Sequence, residues 1–174
     1  MTMHRRAAGF TMLEVLISIV VIAFGLLGVA GLQAFALKNS QSASYRSIAT
    51  VLATDLVDRM RANPVGATSN LYANGATEGT AAKVAGCLQA AGCGSPDNLA
   101  SNDLFEWHNM VAAALPNGAS IVCQDSTPSD GVPGAPACDG AGALVIKIWW
   151  IDDRNRRDPA TAGERFRFST EFQI

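Results

Sequence analysis

The stretch that decides the fold is Gly9-Phe10-Thr11-Met12-Leu13-Glu14 followed by VLISIVVIAFGLLGVAGL, Val15 to Leu32. Ser18 is the only polar side chain between Val15 and Leu32. At about 1.5 Å of rise per residue, such a run approaches the thickness of a bilayer's hydrocarbon core and reads as a membrane-spanning helix. Arg5 and Arg6 precede it and Lys38 is the next basic residue after it. That bias puts the N-terminus in the cytoplasm and the rest of the chain outside.

Composition supports a single span. Of the 174 residues, 49% are hydrophobic but only 7% aromatic, so the apolar surplus is aliphatic. It is concentrated in this one run, which excludes a multi-span protein. The apolar content also excludes disorder over most of the chain. The net charge of −2 gives no basic excess to attract nucleic acid.

Glu14 at the head of the apolar run is the anomaly. An acid at the centre of a spanning helix costs about 2.5–3.5 kcal/mol on insertion scales, and less near the edge. It is either a tolerated interfacial acid or a group awaiting a cation. Gly25, Gly28 and Gly31 recur every third residue. Each weakens the helix by roughly 1 kcal/mol against alanine, and small residues serve close helix packing.

From Leu37 to Asn63 the helical pattern continues with neither proline nor glycine. Tyr45, Ile48, Ala49, Leu52, Leu56 and Met60 share one face, and charged residues largely fill the rest. One helix is therefore predicted from Phe10 to Asn63, roughly 80 Å long. Asp58, Arg59 and Arg61 read as a solvated face.

The segment Gly9–Glu14 resembles the processing signature of type IV prepilins. The resemblance implies a leader of residues 1–9, cleavage between Gly9 and Phe10 by a prepilin peptidase, and N-methylation of Phe10. Loss of Arg5 and Arg6 would take the net charge from −2 to −4. It also implies that Glu14, the fifth mature residue, pairs with a neighbouring subunit's N-terminal amine and sets the register of assembly. Gly25-Leu26-Leu27-Gly28, Leu37–Ser42 and Asp55–Pro64 narrow the likeness to the PilV-type minor pilins. Their fold is an α+β lollipop: a filament-core or membrane half of the helix (10–36), an amphipathic half (37–63), and a head (64–174) with a small antiparallel sheet.

In the head, Val65 to Ala82 reads as a loop. A helix is predicted over 103–115, with Leu104, Trp107, His108, Val111 and Leu115 on one face, Asp103 as cap and Glu106 completing a box-like pair. Strands are predicted at Ala119–Gln124, at Leu144–Ile151, and where Phe166, Phe168 and Phe172 alternate with polar residues. Leu144, Ile146, Ile148 and Trp150 form one face, so of Trp149 and Trp150 one is expected inward and the other outward.

Four cysteines allow three connectivities, and sequence alone does not choose among them. Local geometry favours Cys87–Cys93 across a glycine-rich turn and Cys123–Cys138 at the base of a proline-rich insertion. The spacings are poor for zinc, and disulfides are the expected state outside the cytoplasm. No metal or cofactor is called for. The acidic loop Asp152–Asp158 leaves calcium open, with Arg154, Arg156 and Arg157 the readier neutralisers.

No catalytic constellation is visible, so the chain is read as a non-catalytic minor pilin of the type IV pilus. Its expected partners are the prepilin peptidase, other minor pilins and the major pilin. Its expected locations are the inner membrane, single-pass with a periplasmic head, and then the pilus, near its tip. Two alternatives remain. A type II secretion pseudopilin shares the leader and the acid. A conventional secreted binding protein would instead be cut after Ala34-Phe35-Ala36, but the apolar run is longer than a signal peptide's usual core.

Overall fold

The computed structural model describes residues 9–73, 81–87, 89, 92–151 and 165–172. Helix α1 spans Met12–Ala62, α2 Pro64–Thr68 and α3 Pro96–Ala114. Strands β1 (Ala119–Asp125), β2 (Ala143–Ile151) and β3 (Arg165–Phe172) form an antiparallel sheet in the order β1-β2-β3. The fold class is α+β. The chain divides into a unit ending at Gln41 and a larger unit from Ser42 to Ile174.

The first unit is the apolar part of α1. Phe10, Leu13, Ile17, Ile22, Phe24 and Leu27 are all more than half exposed. A helix apolar on every side has no stable place in water and belongs in lipid or in a protein core. Its mean hydropathy reaches 2.8, enough by length and composition to cross a membrane.

The larger unit starts where one face of α1 becomes buried. Ser42, Ala49, Leu52, Ala53, Leu56 and Met60 point inward. All but Ser42 join Trp107 and Val111 of α3 and Leu144, Ile146, Ile148, Trp150 and Phe172 of the sheet in one core. The alternation read in β2 thus holds, as it does for Phe168 and Phe172 of β3, because period-two side chains of paired strands fall on the same sheet face. Trp107 adds a polar link, its Nε1 donating to the Leu52 carbonyl at 2.8 Å.

Three expectations are corrected. The chain after Asn63 does not pass directly into a loop. Asn63 caps α2 by accepting from the Gly66 N–H at 3.1 Å, and Pro64 suits the first helical position because it has no N–H to lose. Helix α3 begins at Pro96, not Asp103: Ser95 is its N-cap, accepting from the Asn98 N–H at 3.2 Å. Its first two turns carry Asp97, Asn98 and Asn102, too polar to show an apolar period. Asp103 and Glu106 consequently lie mid-helix and cap nothing.

The third correction concerns Trp149, which does not face outward. It is 1% exposed and packs with Ile121, Cys123 and Cys138 on the sheet face opposite the main core. The segment between β1 and β2 is therefore folded back on the sheet rather than projecting from it. Arg167 on β3 ties it further, donating to the Gly131 carbonyl at 3.1 Å.

Candidate functional site

The N-terminal site is set by where α1 starts. Gly9, Phe10 and Thr11 are exposed and lie outside the helix. The Glu14 N–H meets Thr11 twice, at its carbonyl (3.1 Å) and its Oγ1 (3.3 Å), so Thr11 closes the first turn. Thr11-Met12-Leu13-Glu14 has the spacing of a capping box, a signal in the sequence that the reading above did not use. The cap keeps the Gly9–Phe10 bond in non-helical, accessible chain. Glu14 is exposed in the first turn, where the helix dipole favours a negative charge.

In the larger unit, α1 ends in a polar hub. Arg59 Nε binds Asp55 at 2.9 Å, and its Nη1 reaches Glu106 at 3.1 Å and Asp103 at 3.5 Å. The fully buried Tyr72 donates to Asp103 Oδ2 at 2.7 Å and accepts from Asn63 Nδ2 at 3.3 Å. Asn63 also donates to the Pro96 carbonyl at 2.8 Å. Arg59 is thus a joint between α1 and α3, whereas Arg61 and Asp58 remain an exposed pair at 3.0 Å. The solvated face read for Asp58–Arg61 holds only for those two.

Titration follows from this packing. Burial raises the Asp103 carboxyl above the usual range, with the Tyr72 hydroxyl and Arg59 opposing the rise. The hydrogen bond from Arg59 holds Glu106 below it. Burial, then the bond to Asp103, pushes the Tyr72 phenol up. On α3's other flank, burial pushes His108 down to about 4. Its Nδ1 lies 2.7 Å from Ser120 Oγ on β1.

A second cluster lies on the opposite sheet face. Lys147 is fully buried and forms ion pairs with the equally buried Asp125 and, at 3.2 Å, with Asp130. Its Nζ also donates to the carbonyls of Asp130 (3.2 Å) and Pro136 (2.9 Å). A lysine inside the most apolar strand gave no sequence signal for this role. Cys87 is joined to Cys93, and Cys123 to Cys138 with Cα atoms 6.0 Å apart. Among the described residues, no group of three His, Cys, Asp or Glu side chains is placed to hold a metal. The Asp152–Asp158 loop lies outside the described residues.

Residues 4–30 match the prokaryotic N-terminal methylation motif, and residues 31–105 match the type IV pilin Tt1218 family model. The two matches together support a type IV pilin. The second match ends inside α3, one residue before Glu106 of the hub and short of the sheet. Among curated proteins and among solved structures, none matches the chain. The methylation motif implies processing by a prepilin peptidase and pilus assembly with other pilins. Pilins are structural subunits rather than enzymes.

Proposed function

We propose that the chain is a minor pilin of the type IV pilus, of the PilV type, acting without catalysis to prime filament assembly with other minor pilins near the tip. The observation that carries this reading is continuity. The methylation motif runs directly into pilin sequence, and a single helix, α1, passes through both.

In this reading the prepilin waits in the inner membrane with residues 1–9 cytoplasmic and the head periplasmic. Cleavage at Gly9–Phe10 frees the Phe10 amine, which is then methylated. That ammonium gives the next subunit's Glu14 the cation that an acid in apolar surroundings needs. An ion pair there fixes axial register, a role for which buried polar groups are well suited. The two disulfides suit an oxidising compartment.

Mass spectrometry of the mature chain tests the processing, with an N-methylated Phe10 as the expected terminus. A mature N-terminus at Leu37 would refute it and favour a conventionally secreted protein. Glu14→Ala should leave the head folded yet reduce incorporation into pili. Deletion of the gene should reduce piliation; loss of protein secretion with normal piliation would point instead to a type II pseudopilin.

A further inference from the structure

The Lys147 cluster has an unusual polar balance. Asp125 Oδ1 accepts from the Thr127 N–H at 2.9 Å, while the Thr127 hydroxyl, 3.3 Å away, donates its one proton to Asp130 Oδ2 at 2.7 Å. Asp125 Oδ2 is buried directly against the Lys147 ammonium. Both side chains are 0% exposed. Two ions held this dry lose hydration that their attraction only partly returns. The Asp130 carboxylate, 3.2 Å from Nζ and half-exposed, gives protons a route to water.

We propose that Lys147 and Asp125 condense to an intramolecular amide that joins β2 to β1. The ammonium first passes a proton to the Asp125 carboxylate, with Asp130 as relay, giving a neutral amine beside a neutral acid. Nζ attacks Cγ while the Thr127 N–H holds Oδ1, where negative charge develops. The Nζ–Cγ bond forms and the Cγ–Oδ2 bond breaks. Oδ2 leaves as water with its own proton and one from Nζ. No oxidant or co-reactant is needed.

The product removes both buried charges, and the Asp130 carbonyl and carboxylate that give up their Lys147 donor belong to an exposed residue. The amide oxygen keeps the Thr127 N–H as donor, and the remaining N–H faces the Pro136 carbonyl, now 2.9 Å from Nζ. The bond would close a covalent ring around the segment already stapled by Cys123–Cys138, so tension along the chain could not part β1 from β2.

The test is tryptic mass mapping of the reduced full chain purified from membranes. An amide at Lys147 blocks cleavage there, so the expected product is a single peptide of residues 84–154, lighter than its sequence by one water. Fragmentation should place the link between Asp125 and Lys147. Asp125→Ala should restore cleavage at Lys147 and the full mass, and Asp130→Asn should lower the cross-linked fraction several-fold. An unshifted 84–147 peptide from the wild-type chain would overturn the proposal. So would a lost water combined with normal cleavage at Lys147, which marks a succinimide at Asp130-Gly131 or Asp139-Gly140.

Discussion

Replacing Tyr72 with Phe removes one oxygen from the hub and leaves its apolar contacts in place. That oxygen donates to Asp103 at 2.7 Å and accepts from Asn63 at 3.3 Å. Without it the buried carboxylate keeps Arg59 at 3.5 Å as its remaining partner among these bonds, and the weaker one. A hydrogen bond to a charged group contributes about 1.5–3 kcal/mol. Tyr72→Phe should therefore cost about 2 kcal/mol, a fall in Tm on the order of 5–10 °C. Trp107, Trp149 and Trp150 are the chain's three tryptophans and all are buried in the larger unit. Urea titration of the detergent-solubilised chain by tryptophan fluorescence thus reads this unit alone.

The pH dependence carries the second half of the argument. Asp103 is raised in the folded state, so its ionisation opposes folding as pH climbs past that raised value. The Tyr72 bond offsets part of this, and only for the charged form. The variant's deficit should be full at neutral pH and shrink as Asp103 becomes protonated in acid. A loss below about 0.5 kcal/mol, within the range of ordinary surface changes, would refute the reasoning. A deficit identical at neutral and acid pH would refute it equally.

His108 is held neutral, with its folded value at about 4 against an ordinary 6.5. The unfolded chain binds the proton first, so this contribution is complete above about 6.5 and is lost as pH falls toward 4. It amounts to about 3 kcal/mol, and His108→Gln should flatten that limb of the stability–pH curve. Cys123→Ser with Cys138→Ser should cost about 3 kcal/mol for a bridge separated by 15 residues. The same pair should open Trp149 to acrylamide quenching while Trp107 stays protected. Gly66→Ala would set a Cβ 2.3 Å from Asn63 Nδ2. Asn63 is held by three hydrogen bonds and cannot simply retreat, so an urea midpoint shift equal to about 1–3 kcal/mol is expected.

The long helix and the three strands were legible because each follows a period the chain itself sets. Val15–Leu32 is apolar all round, Tyr45–Met60 repeats at three and four, and Leu144–Trp150 and Phe166–Phe172 alternate. The start of α3 was not legible from periodicity, since its first turns are polar. Ser95-Pro96 marked it through cap chemistry, as Thr11 marked the start of α1.

What the sequence by itself determined is everything that depends on near neighbours: the long apolar helix, the methylation motif, the faces of the strands. What only the tertiary structure decided depends on residues far apart along the chain. Arg59 meets Asp103 and Glu106 across 44 and 47 positions, and nothing local distinguishes it from the exposed Arg61. Lys147 sits where alternation predicts an outward side chain, and outward should mean water. It is buried because the segment after β1 folds back and supplies Asp130 and the Pro136 carbonyl. A charge can be left inside a protein only where its partners converge, and that convergence is a property of the folded chain.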